Sequence, residues 1–278
     1  MSIIKAGPYD VDYAEAGSGP AVLLLHSSAA GNRQWRKLME ERSGKNRLIT
    51  ANLFGYGATS PWPGERQMQL DDQANLVTAL AHFLPERFTL IGHSLGAVVA
   101  MQAALRLGGR LDALILYEPI LFFLLQPHNE AEAFAEIDAV RRDCVAAAER
   151  GDWEAMGHRF IDYWSGHGAW DATNDERKAP IRSMMPAVVP EWAMMFGATP
   201  ALDAWKDIDA PVHVIHAADT RRPTRAIADL LRRELPHWHF HEIEAGGHTA
   251  PISRPDLVNP LLARILDEAA PASFAGTH

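Results

Sequence analysis

Residues 92–96 read Gly-His-Ser-Leu-Gly, a serine flanked at two positions' distance by glycine on either side. Before them Phe88 to Ile91 is an apolar run of strand length, and after them Ala97 to Leu107 reads as a helix of small and aliphatic residues. A serine on so sharp a strand-to-helix turn sits in strained backbone, and neighbours without Cβ let the two elements approach closely. Ser94 Oγ then projects above the sheet at a helix N-terminus, whose free N–H groups favour a developing negative charge. The chemistry this suits is nucleophilic attack by a hydroxyl, which is a poor nucleophile until a base takes its proton. Other candidate sets are weaker. His237, His239 and His241 alternate, so a strand would turn all three to one face as metal ligands stand, yet no carboxylate follows in ligand spacing. The glycines at 55–57 and 246–247 fit neither the P-loop nor the dinucleotide pattern, so no nucleotide cofactor is implied.

Positioning Ser94 requires a sheet, and the chain supplies strands alternating with helices. Alternation across Tyr9–Tyr13 suggests an edge hairpin closed by Gly17-Ser18-Gly19-Pro20. Ala21 to Leu25 is continuously apolar, as a strand buried on both faces must be. A loop follows at His26–Gly31, then a helix capped by Asn32, a strand over Arg47–Leu53, a glycine-punctuated loop over Asn52–Ser60 and a helical period over 70–84. Leu111 to Tyr117 is the next strand, ending at Glu118-Pro119. From about 120 to 200 the alternation stops, and several helices are expected, including Ala131–Arg150 and Trp153–Trp164. Pro211–Ile215 restores a strand, Pro223–Leu235 a helix, His239–Ile243 a last strand and 254–268 a closing helix. Strand–helix alternation implies a right-handed parallel sheet, and a helical insertion after Glu118 would sit over the carboxyl ends of its strands, where such sheets bind ligands. The tail after Pro271 reads as disordered.

Composition narrows the partners. A formal charge of −9 and a pI near 5.8 argue against nucleic acid and anionic membrane. The 278 residues, 47% hydrophobic and 22% charged, suit a globular protein with a full core. Cys144 is the sole cysteine, so neither an intrachain disulfide nor a cysteine-based metal cluster is open to it. The N-terminal MSIIKAGPYD shows no h-region or cleavage site, and Leu111–Leu125, the most apolar stretch, is interrupted by Asp112, Glu118 and Pro119. The expected compartment is the cytoplasm.

The segments Leu23-Leu24-Leu25-His26-Ser27-Ser28, Asn52–Ser60, Gly92–Gly96 and Gly246-Gly247-His248 together resemble the α/β-hydrolase fold family over nearly the whole chain. The resemblance implies an α/β fold: a mostly parallel eight-stranded sheet flanked by helices, with a helical cap inserted after the sixth strand. Residues 1–119 and 201–278 would form the core and 120–200 the cap. It also implies the order serine, acid, histidine, which makes His248 the base for Ser94. The acid is Asp219, after the strand Pro211–Ile215, or Glu118, where some relatives such as certain haloalkane dehalogenases carry it; Asp219 is the preferred of the two. The local His216-Ala217-Ala218-Asp219-Thr220 departs from the usual glycine-bearing loop, and a one-residue shift would put Thr220, which cannot act as an acid, in that place. His93 is expected to be buried beneath Ser94 and to point away. The oxyanion donors implied are the amides of Leu95 and of Ser28, with Ser27 the alternative because a serine replaces the family's usual glycine there.

The cap is rich in apolar side chains, of which Phe122, Phe123, Trp164, Trp192 and Met195 are the expected lining of an apolar acyl or aryl pocket. These expectations amount to a cofactor-free serine hydrolase acting on small hydrophobic esters through an acyl-enzyme. The same scaffold also hosts C–C bond hydrolases, lyases, acyltransferases and non-catalytic ligand receptors, since function resides in the site rather than the fold.

Overall fold

The computed structural model describes residues 2–198, 200 and 202–270; the tail from Pro271 lies outside the described residues. The strands are β1 (Ser2–Ala6), β2 (Tyr9–Ala16), β3 (Ala21–Leu25), β4 (Arg47–Ala51), β5 (Phe88–His93), β6 (Leu111–Tyr117), β7 (Val212–Ala217) and β8 (His239–Ile243). Among the described residues they form one eight-stranded sheet in the order β1-β2-β4-β3-β5-β6-β7-β8. Strand β2 runs antiparallel to both β1 and β4, and every other pairing is parallel. The edge hairpin turns at Gly7-Pro8 rather than at Gly17–Pro20, which links β2 to β3. Gly17 and Gly19 each have positive φ there and pack so close to the backbone of Ser43–Asn46 that a Cβ would collide.

Helices α1 (Arg36–Arg42), α2 (Leu70–Ala81) and α3 (Leu95–Leu107) precede or join the central strands. Between β6 and β7 lie α4 (Ala131–Glu149), α5 (Trp153–Ser165), the short α6 (Ala169–Ala172) and α7 (Asp175–Gly197). Helices α8 (Arg222–Glu234), α9 (Ala250–Ser253) and α10 (Pro255–Ala269) complete the chain. The pleat of β3 divides the core: Leu23 and Leu25 pack with α2, α3 and α8, whereas Val22 and Leu24 pack with α1 and α10 on the other face. The helices after β3 and β5 therefore leave the sheet on opposite faces, and the crevice between these two strand ends, where Leu25 pairs with Gly92, is the switch point at which such sheets bind ligands.

Helix α7 has no clear signal in the sequence, because Pro180, Pro186 and Pro190 all lie inside it. It is started by Asn174, whose side chain accepts from the Arg177 amide, and held by an apolar face in which Met185, Val188, Trp192 and Met195 recur at helical spacing and are buried. No helix among the described residues is long and apolar enough to cross a membrane.

Candidate active site

Ser94 occupies the turn between β5 and α3 with φ 57° and ψ −115°, a conformation that L residues other than glycine seldom adopt. Two close approaches hold it there. A Cβ on Gly92 would strike the Gly96 carbonyl, and one on Gly96 would strike the Leu25 and His26 carbonyls, so only glycine lets α3 rest on the ends of β3 and β5. The Ser94 amide donates to the Tyr117 carbonyl of β6 (2.9 Å), which fixes the turn against the neighbouring strand.

The imidazole of His248, 154 residues downstream, reaches this hydroxyl: Nε2 lies 2.8 Å from Ser94 Oγ. Three side chains hold the loop that carries it. Tyr117 Oη donates to the Gly247 carbonyl (2.7 Å), His93 Nε2 donates to the His248 carbonyl (2.8 Å), and the Asp219 carboxylate accepts from the amides of Gly246 (3.1 Å) and Gly247 (2.8 Å). Burial holds the His93 imidazole well below its usual pKa, so it stays neutral and serves as a fixed donor. It is buried beneath Ser94 but engages the His248 loop instead of standing apart from it.

The carboxylate on His248 is that of Glu118, with Oε2 2.8 Å from Nδ1. Asp219, the preferred acid on sequence grounds, makes no such contact, since both its oxygens are spent on the glycine amides. Glu118 follows β6 with φ 43° and is 2% exposed, a degree of burial that a carboxylate tolerates only when its oxygens are paired. The Ala217 amide donates to Oε1 (2.9 Å), and the Thr220 hydroxyl donates to Oε2 (2.7 Å). Thr220 thus stands beside the carboxylate that faces the imidazole.

The loop after β3 is equally determined. Ser27 gives its amide (3.0 Å) and its hydroxyl (2.8 Å) to Gln34 Oε1, Ala29 gives its amide to Tyr56 Oη (3.1 Å), and Ala30 gives its own to the Ser27 carbonyl (3.3 Å). Of the four amides from Ser27 to Ala30 only that of Ser28 has no acceptor among the described residues, and Ser28 lines the cavity before Ser94. The Leu95 amide, at the first position of α3, has no intrahelical acceptor either. His26 anchors the loop from below: Nδ1 donates to the Ser27 carbonyl (2.8 Å), and Nε2 accepts from the Leu53 amide (3.0 Å). That pairing requires the neutral ring, and burial lowers its pKa from 6.5 to about 4. Between those pH values the unfolded chain binds the proton more readily, so the stability due to neutral His26 is fully present above pH 6.5 and is lost as pH falls towards 4. At pH 5 the loss is about 2 kcal/mol. Urea denaturation should show His26→Asn less stable at pH 7, yet losing about 2 kcal/mol less than the parent between pH 7 and pH 5.

In front of Ser94 and His248 opens a cavity of about 560 Å³. Phe122, Trp164, Trp192 and Met195 line it; Phe123 does not, for it turns to Trp205 (ring centroids 6.3 Å apart) and packs against the core. The Trp164 indole lies over the His248 ring at 4.0 Å between centroids and 31° between planes, covering the imidazole from solvent. The alternating histidines lie elsewhere. His239 and His241 are on β8 stacked against His213, His237 precedes the strand, and no group of three metal-ligating residues is assembled among the described residues.

A sequence model described as the alpha/beta hydrolase family matches residues 22–261, spanning every element that carries these groups. The chain belongs to this family. Its relatives include the biotin biosynthesis bifunctional protein BioHC of Teredinibacter turnerae, 27% identical over 266 residues, 90% of this chain and 45% of that protein. A pimeloyl-[acyl-carrier protein] methyl ester esterase of Nitrosomonas europaea is 33% identical over 100 residues, 36% of this chain and 37% of the esterase. The chain thus spans less than half the length of either relative. Among solved structures, a thermophilic esterase from Thermogutta terrifontis superimposes with a TM-score of 0.74 at 20% identity, over 98% of this chain and 100% of that one.

Three side chains that line the cavity carry no sequence signal for their place there: Gln34, Glu191 and Trp164 as a cover for His248. Their spacing from Ser94 along the chain is arbitrary, and only folding brings them to the cavity.

Proposed function

We propose that this hydrolase is a serine esterase for small, hydrophobic, uncharged esters. The observation that carries the reading is the hydrogen-bonded chain Ser94–His248–Glu118, two links of 2.8 Å each, opening onto a cavity whose surface is mostly apolar. In this reading Ser94 Oγ attacks the ester carbonyl while His248 Nε2 takes its proton. Glu118 holds the imidazole with Nδ1 protonated and stabilises the imidazolium that forms. The amides of Leu95 and Ser28 receive the oxyanion. The tetrahedral intermediate then collapses, the alcohol leaves with the proton from His248, and a water activated by the same imidazole releases the acid. Asp219 acts at one remove from the chemistry. By gripping the Gly246 and Gly247 amides it sets the loop on which His248 rides.

The insertion over residues 120–200 is proposed to act as the cap. Its α5 and α7 contribute Trp164, Trp192 and Met195 to the cavity, and Trp164 excludes water from the imidazole. The esterase named among the relatives agrees with this reaction class. The proposed chemistry calls on no cofactor, and the cytoplasm is the proposed compartment.

A fluorophosphonate should label Ser94, identified by peptide mass, and p-nitrophenyl butyrate should release p-nitrophenol in a burst of up to one equivalent before the steady state. Folded protein that neither takes the label nor hydrolyses any ester of a chain-length series would end this reading.

A further inference from the structure

The imidazole of His248 has a partner that the proposed reaction does not yet use. In the plane of the ring, Nδ1 meets Glu118 and Nε2 meets Ser94. His93 lies 5.1 Å away between centroids, tilted by 52°, and burial keeps that ring neutral. The indole of Trp164 comes closer, 4.0 Å between centroids at a tilt of only 31°. Edge-to-face pairs stand farther apart, so these two rings meet face to face.

The surroundings fix the indole in that place. Trp164 is in the last turn of α5, met edge-on by Tyr163 (4.7 Å, 71°) and by Phe160 one turn earlier (6.5 Å, 66°). The Tyr163 hydroxyl donates to Glu136 of α4 (2.9 Å), and the Arg221 guanidinium stands 5.2 Å from the centre of its ring. Arg221 follows Thr220, whose hydroxyl donates to Glu118. One stretch of chain therefore steadies both partners of the imidazole, the carboxylate directly and the indole through Tyr163.

A cover against water needs only to be apolar, and leucine would serve. An aromatic face adds an attraction for any cation laid against it, because its π-electrons carry negative charge density. In the proposed reaction the imidazole becomes charged twice: it takes the Ser94 proton during acylation and a proton from water during deacylation. Glu118 answers that charge within the ring plane, and the indole meets it from the face, where the loss of water makes the attraction strongest. Before the proton moves the ring is neutral and the attraction small, so the gain falls on the transition state.

Resting on the esterase reading, we propose that Trp164 is a positioning residue for His248 and the π partner of its imidazolium, so that the insertion takes part in the chemical step through the base as well as shaping the pocket. It acts through His248 and needs no contact with the reacting carbonyl.

The experiment replaces Trp164, alone among the eight tryptophans, by 5-fluoro-, 5,7-difluoro- and 4,5,6,7-tetrafluorotryptophan through suppression of a stop codon at that position. Fluorine nearly preserves the size and apolarity of the indole while withdrawing charge from its face. With p-nitrophenyl butyrate, kcat and the burst rate constant are expected to fall stepwise along the series, to about a tenfold loss in the tetrafluoro enzyme, with KM held within about twofold. Trp164→Leu should lose at least as much, and Trp164→Phe, which keeps a weaker aromatic face, should lie between leucine and tryptophan. Should Trp164→Leu fail to fold by circular dichroism, the fluorinated series, whose members keep the indole shape, decides alone. A kcat that stays flat along the series, in an enzyme that hydrolyses the ester, would overturn this proposal and leave the esterase reading standing, the indole being then a cover only. Unaltered protein that neither takes the fluorophosphonate nor turns over the ester would remove both.

Discussion

Ser94→Ala is expected to lower kcat towards p-nitrophenyl butyrate by about 10⁶, and adding His248→Ala to it should lower kcat hardly at all. Hydroxyl and imidazole act as one unit across their 2.8 Å contact: without Oγ there is no nucleophile for the base to activate, and without the imidazole the alcohol keeps its proton. The alanine enzyme should remain folded. The turn at position 94 is imposed by Gly92, Gly96 and the Ser94 amide bond to Tyr117, none of which involves the side chain, and alanine meets the positive φ at much the same cost as serine. What persists is a residual acceleration of about 10³ over water, from the Leu95 and Ser28 amides and the enclosing cavity. Circular dichroism matched to the parent enzyme, together with turnover within tenfold of it, would contradict the assignment of Ser94 as nucleophile.

The sheet and the elbow are legible in the sequence because their physics is local. A strand buried on both faces has to be apolar throughout, and Ala21–Leu25 and Ala113–Tyr117 announce themselves in that way, as does a serine flanked by the two glycines that let α3 approach. Helix α7 is not legible, because three prolines remove amide donors from its interior and local preference argues for a break. What holds it is the tertiary burial of Met185, Val188, Trp192 and Met195, which no local window reports. The hairpin turn falls earlier than the sequence suggests because Gly17–Pro20 is the stronger turn signal, although the geometry there serves a crossover past Ser43–Asn46.

Within the site, types and order are readable where position in the fold fixes them, as for Ser94 and His248. The partner carboxylate is not, because Glu118 and Asp219 follow adjacent parallel strands and both reach the same loop. Sequence distance carries no information about which of the two faces Nδ1. The donor of the proposed oxyanion loop stays undecided between Ser27 and Ser28 in the sequence for a similar reason: Gln34, farther along the chain, captures the Ser27 amide. Phe123 departs from expectation because adjacent residues on a tight turn, Phe122 and Phe123, point to opposite sides, and composition alone cannot say which enters the cavity.

The two carboxylates should therefore separate by orders of magnitude in their conservative variants. Glu118→Gln is expected to reduce kcat by about 10³–10⁴, whereas Asp219→Asn should reduce it by less than about tenfold. The direction follows from who holds each oxygen. In Glu118→Gln the Ala217 amide, a donor, keeps the amide oxygen at the Oε1 position, which turns the side-chain NH₂ towards His248 Nδ1. Thr220 does not prevent this, since its hydroxyl can turn its hydrogen to Thr224 Oγ1, 2.7 Å away, and accept from the amide instead. Facing a donor, Nδ1 gives up its proton and Nε2 carries it, so the nitrogen beside Ser94 Oγ is no longer a base. The charge opposite the imidazolium disappears at the same time. KM should change little, because Glu118 does not line the cavity. In Asp219→Asn the side-chain oxygen still accepts one of the two glycine amides, and His93 and Tyr117 continue to hold the loop, so His248 shifts slightly without changing tautomer. Steady-state kinetics of the two variants, with ring ¹⁵N NMR to read the His248 tautomer, decide between them; a Glu118→Gln enzyme that keeps a tenth of its turnover while Asp219→Asn loses a thousandfold would return the role to Asp219.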